Sequence, residues 1–184
     1  MTAPNRFDTV MTDRLLMRRW RDSDREPFAE LNGDPDTLRF FPSTLTREQS
    51  DAFVDLIESR FELQGFGLWA LEVTATGEFI GYTGLNAMPE GVVPERGGME
   101  IGWRLAKTAW HQGYATEAAR AARDVAFDGV GLPEIWSITA VLNEPSMAVM
   151  RRIGMEEVGR FDHPKIPADH PTRPHVLYHL ARPA

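Results

Sequence analysis

Apolar and polar positions along the chain switch period several times, and the switches mark the elements. The stretch TDRLLMRRW, 12–20, reads as a first strand. After it, Ser23 and Glu26 have capping-box spacing and predict a short helix carrying Phe28 and Leu31, ended by GDPD at 33–36. A second box, Thr46 with Gln49, opens a longer helix. Its apolar face is predicted to hold Phe53, Leu56, Ile57 and Phe61, and Gly65 is placed to stop it. GLWALEVT and EFIGYTGL, separated by ATG, predict a hairpin. After a loop rich in Gly, Pro and Glu, GMEIGWRL alternates Met99, Ile101, Trp103 and Leu105 against Glu100, Gly102 and Arg104, as a strand does.

Residues 115–128 are helical by composition, and EIWSITAVL, 134–142, is a further strand with Ile135, Ile138 and Val141. Strand, helix and strand in succession imply a parallel crossover. EPSMAVMRRIG follows as a helix with Pro145 in its first turn and Gly154 at its end, then a strand near 156–162. Four prolines make 162–175 a loop, and VLYHLAR closes the chain as a strand. The expectation is an α/β chain with a parallel crossover in its sheet. No repeat or linker divides it, so residues 1–184 read as a single domain.

Composition narrows the classes. With 42% hydrophobic and 26% charged residues the chain falls among globular proteins. Its apolar runs are far short of the ~20 residues that span a bilayer, and its start lacks the apolar core of a signal peptide. No cysteine is present, so disulfides, thiolate metal sites and cysteine nucleophiles are excluded. A cytoplasmic location is the simplest expectation. A net charge of −7 argues against a nucleic-acid partner, which needs a basic face.

The stretch AWHQGYATEAAR, 109–120, runs a glycine-marked turn straight into a helix start. Such a turn is an anion site, because the first helical N–H groups lack partners and the helix dipole adds partial positive charge. Gly113 lets the backbone approach a guest and Ala115 keeps bulk away, although a lone glycine more often just makes a turn. Neither G-x-x-x-x-G-K-[ST] nor G-x-G-x-x-G is present, so the two nucleotide loops are excluded.

EIGWRLAKTAWHQGYATEAARAARDVAF, with NEPSMAVMRRIGM after it, resembles the GNAT superfamily of N-acetyltransferases, in its ribosomal-protein N-terminal acetyltransferase-like branch. TDRLLMRRW and GEFIGYTGL resemble that branch's first and third strands, so the likeness covers nearly the whole chain. It implies a mixed, partly splayed sheet with helices on both faces, in an acyltransferase that uses acetyl-CoA as donor and a primary amine as acceptor, without a metal. It further implies a pyrophosphate cradle in His111, Gln112, Gly113, Tyr114, Ala115 and Thr116, and main-chain pairing of the pantetheine arm with Trp103, Arg104 and Leu105. Asn143 is implied to hold the cofactor arm, and Ser146 to lie near the sulfur as a general acid. Two residues depart from the pattern. Trp110 stands where the superfamily has Gln or Arg, and His111 where the branch often has glycine, so His111 is strained if a positive φ is needed.

Arg104, Lys107, Arg120, Arg123, Arg151 and Arg152 surround these motifs, with one or two expected to meet phosphates. Glu100 is the candidate base, with a structural carboxylate as the equal alternative, because alternation sets it opposite Trp103. By residue type alone, Asn143 is a capping residue and Ser146 an ordinary first-turn serine. His163, His170 and His175 match no compact metal spacing and read as solvated loop histidines, in a loop that could border the acceptor pocket. RFFPSTL, 39–45, is the candidate opposite rim. The acceptor is open between a protein N-terminus and a small amine such as an antibiotic, polyamine or amino acid, and homodimer formation is open too. A non-catalytic acyl-CoA sensor is the alternative from another class.

Overall fold

The computed structural model describes residues 7–92 and 98–183. Part of the Gly-, Pro- and Glu-rich loop therefore lies outside the described residues. The strands are β1 (Thr9–Met11), β2 (Leu15–Arg18), β3 (Leu68–Val73), β4 (Phe79–Ala87), β5 (Met99–Leu105), β6 (Glu134–Ala140), β7 (Glu156–Asp162) and β8 (Pro174–Ala181). They form one sheet in the order β1-β2-β3-β4-β5-β6-β8-β7. Every neighbouring pair is antiparallel except β5 and β6, as the crossover predicts.

The helices are α1 (Arg25–Gly33), α2 (Arg47–Gln64), α3 (Tyr114–Asp124) and α4 (Glu144–Arg152). Local signals set the ends of α2. Thr46 accepts from Gln49 N while the Gln49 side chain accepts from Thr46 N, and Gly65 ends the helix at φ 80°. The face buried by α2 is Ser50, Val54, Ile57 and Phe61, whereas Leu56 is exposed. Spacings of four, three and four keep that stripe on one side, and Leu56 falls about 100° away from Ile57.

The start of α1 differs from the expected box at Ser23. A 3₁₀ turn, Asp22–Asp24, comes first, and no side chain caps α1. Asp24 is drawn inward instead. Its carboxylate takes two bonds from Arg18, at 2.7 and 2.9 Å, and one from Arg21 N at 2.8 Å. Glu72 completes the neutralisation of Arg18 at 2.8 Å.

Rings of Phe28 in α1 and Phe53 in α2 stand edge-on to Tyr82 of β4, so both helices cover the sheet face that bears Tyr82. On the other face α3 presents Ala118, Ala119 and Ala122 to β4 and β5, all fully buried. Alanines let the helix approach closely, and that fixes where its N-terminus points. A π-helical turn, Val125–Val130, carries α3 toward β6.

Candidate active site

The site begins where β5 and β6 part. The two strands share one register pair, Glu100 with Trp136, and Ser137 Oγ bridges them by donating to Ile101 O at 2.8 Å. Beyond that point a cleft of about 880 Å³ opens between them. Ala106 N donates to Ile80 O, and the register with β4 is regular. The even-numbered residues of β5 therefore direct their main-chain groups to β4, and Trp103 directs its own toward the cleft. Leu105 O faces the same way and accepts from the Trp110 indole at 2.8 Å.

That indole bond explains the departure at Trp110. The residue secures the turn between β5 and α3 from within the fold, and Arg39 lies over its ring at 5.0 Å. The backbone then takes two left-handed steps, at His111 (φ 61°) and Gly113 (φ 82°), before α3 begins. The strain expected at His111 is thus present. The first helical bond is Glu117 N to Gly113 O, and no side chain caps the helix. The amides ahead of Glu117 are left for a guest. Arg14 braces the turn by donating to Gln112 O at 2.9 Å and pairing with Glu117 at 2.6 Å. Burial opposes the charge on Glu117, but bonds from Thr12 and Arg14 hold its carboxyl below the usual range. Arg14 gives no local signal, since it lies about a hundred residues before its partners.

His111, Gly113, Tyr114, Ala115 and Thr116 line the cleft, together with Trp103, Arg104 and Leu105. Gln112 does not line it, because its side chain turns back to Thr108 O at 2.9 Å. A second opening of about 760 Å³ lies outside the turn, where Arg120 and Arg152 flank Gly113 and Thr116. Of the other nearby cations, Lys107 pairs with Asp36, Arg123 with Asp124 and Arg151 with Glu144.

Asn143 and Ser146 reach the cleft from the start of α4. Asn143 is the helix cap. Its Oδ1 accepts from Ser146 N at 3.3 Å and its Nδ2 donates to Thr139 Oγ1 at 2.8 Å. The capping role is therefore real, and it holds Ser146 at the cleft wall. Among the described residues Ser146 Oγ has no hydrogen-bond partner.

Glu100 lines the cleft from the face opposite the Trp103 side chain. Burial pushes its carboxyl up from 4.5 to about 7. Both rims named from the sequence are here, with Phe40, Phe41 and Pro42 on one side and Lys165 and Ile166 on the other. The solvated reading fails for two of the three histidines. His163 and His175 line the cleft with ring centroids 4.9 Å apart, and burial lowers the pKa of both. The proline-rich loop folds back because His163 N bonds Arg173 O at 2.9 Å and Arg173 Nη1 bonds Ile166 O at 2.7 Å. His170 instead contacts Thr172 at 2.8 Å. Among the described residues no helix is long and apolar enough to cross a membrane.

Known proteins resemble this chain in sequence and fold. The family model for the acetyltransferase (GNAT) domain matches residues 14–156. The uncharacterized protein YkkB of Bacillus subtilis is 31% identical over 79% of this chain and 84% of its own. The FsC-acetyl coenzyme A-N(2)-transacetylase of Aspergillus fumigatus is 31% identical over 83% of this chain and 67% of its own. Among solved structures, Mycobacterium smegmatis RimJ in complex with CoA-disulfide superposes with a TM-score of 0.76 at 21% identity, covering 98% of this chain and 90% of that one. The match spans the strands that part, the uncapped turn between them and the start of α4, and it places the chain in the GNAT family of acetyltransferases, which transfer acetyl groups from acetyl-CoA.

Proposed function

We propose that this chain transfers the acetyl group directly to a primary α-amine held on the α1 and α2 side of β5. The observation that carries this reading is the meeting, in one cleft, of the uncapped α3 N-terminus with a carboxyl raised to about 7. The amides at His111 to Thr116, with Arg120 and Arg152 at the outer opening, suit the pyrophosphate and its neighbouring phosphate. The main chain of Trp103 and Leu105 and the side chain of Asn143 suit the pantetheine arm, whereas the main chain of Arg104 is taken up by β4.

In the transfer a C–N bond forms and the thioester C–S bond breaks. Glu100 accepts the amine proton, directly or through water, and Ser146 Oγ–H supplies a proton to the departing sulfur. The chain has no cysteine for an acyl-enzyme, which favours direct attack. At pH 7 an α-amine of pKa ~7.8 costs about 1 kcal/mol to deprotonate and a lysine at ~10.4 about 4.6 kcal/mol. A base near 7 is matched to the first. An N(2)-transacetylase among the relatives and the likeness to ribosomal-protein acetyltransferases both fit an α-amine acceptor.

The test is calorimetric titration with acetyl-CoA, followed by CoA release on a panel of α-amines and ε-amines. Wild type is expected to bind acetyl-CoA, and Gly113→Glu, which puts a carboxylate among the helix-start amides, to abolish binding. A wild-type protein that gives no binding isotherm would refute the proposal.

A further inference from the structure

Arg104 is an arginine without a counter-charge among the described residues, in a chain with more acids than bases. Several arginines of the fold are matched to carboxylates, while Arg39, Arg60, Arg120 and Arg152 share with Arg104 the lack of an ion pair among the described residues. Arg18 has Asp24 and Glu72, Arg19 has Glu58 and Glu62, and Arg25 has Asp55. Arg104 has a neutral amide, its Nη1 donating to Asn32 Oδ1 at 2.6 Å. Its guanidinium lies 4.4 Å from the Phe41 ring centroid and 5.6 Å from that of Tyr82. The Nε atom is shielded from water and has no hydrogen-bond partner among the described residues.

The unused edge has a definite chemistry. With Nη1 engaged by Asn32, Nε–H and the adjoining Nη2–H remain, and these two parallel donors form a fork that fits a carboxylate. Tying α1 to β5 through Asn32 requires one N–H and no charge. A partly buried cation beside rings and a neutral amide is costly unless something supplies the opposite charge. Strand alternation puts Arg104 on the same face as Glu100, and both line the cleft. Phe41, which lies on the guanidinium, is 39% exposed and sits on the rim loop, so it can give way as a ligand enters.

We propose that Arg104 receives a carboxylate of the acceptor, which makes the substrate class a small α-amine bearing a carboxylate. This rests on acetyl transfer at Glu100 as set out above. Arg104 lies four positions after Glu100, about 13 Å between Cα atoms at ~3.3 Å per residue. The amine and the carboxylate are then several bonds apart, as in a dipeptide, rather than on one carbon.

The probes are alanyl-alanine and alanyl-alaninamide, which differ in the C-terminal charge, with CoA release read as kcat/KM. Wild type is expected to prefer the free carboxylate at least tenfold. Arg104→Gln is expected to bring the two within about twofold, and Arg104→Lys, which keeps the charge and loses the fork, to retain part of the preference. A purely structural arginine would lower both rates together and leave their ratio unchanged. Equal turnover of the pair, or turnover of neither, in a wild-type protein that binds acetyl-CoA would overturn this proposal while leaving donor binding intact. Absence of acetyl-CoA binding would instead remove the reading on which it rests.

Discussion

Single residues carry the sharpest consequences. His111 holds a left-handed backbone at φ 61° without being glycine. That conformation costs an L-residue roughly 1–2 kcal/mol, and glycine's extra freedom in the unfolded chain returns roughly half of it. His111→Gly should therefore stabilise the fold by about 0.5–1 kcal/mol, read as a higher urea midpoint at constant m-value. Glu100 sets a pH dependence of definite sign. With its folded pKa raised to about 7, the native state holds a proton that the unfolded chain releases nearer 4.5. Its stabilising contribution is complete below 4.5 and is lost as pH rises through 7. Glu100→Gln should raise Tm at pH 8 and leave it unchanged at pH 4.5. The same substitution should reduce the slope of log kcat/KM below pH 7 from about two to about one, the remaining slope belonging to the acceptor amine of pKa ~7.8, and cost on the order of a hundredfold in kcat. A mutant profile that keeps the steeper slope would assign the base elsewhere, with His175 the next group in the cleft.

At the scale of elements, legibility followed sequence distance. The Thr46–Gln49 box and the Gly65 stop are contained within their own turns, so the sequence showed both ends of α2. The Ser23 box failed because Arg18, in a strand, takes Asp24 inward. Strand alternation showed β5 but not how closely its neighbour approaches. Gly81 of β4 has φ 128°, and a Cβ there would lie 2.1 Å from Arg104 O. Gly81→Ala must push β5 away, at a cost of more than about 2 kcal/mol. Since β5 also forms the cleft wall, acetyl-CoA affinity should fall along with the denaturation midpoint. Loss of stability with an unchanged binding isotherm would show that the displacement stays on the β4 side.

For the molecule as a whole, the period changes along the chain were enough to read an alternation of strands and helices with one parallel crossover, while the placing of helices on both faces came from the family resemblance. Less legible was what long loops bring to the cleft. His163 and His175 belong to a proline-rich segment with no periodicity, and Arg14 and Asn32 meet their partners across the tertiary fold. Net charge misleads in the same way. The chain is acidic at −7, yet Arg39, Arg104, Arg152 and Lys165 all border the cleft, and charges beyond ~8 Å are screened.

The single rung between β5 and β6 also has a mechanical meaning. Ladder cooperativity that runs unbroken from β1 to β5 is interrupted there and resumes from β6 to β7, so the sheet is two leaves sharing a spine. A ligand lying in the parting would bridge both leaves and stabilise the folded state by about 2.7 kcal/mol at a hundred times its Kd. The donor would then serve as a staple as well as a reagent, and the rigidity of the C-terminal leaf would rise and fall with its supply.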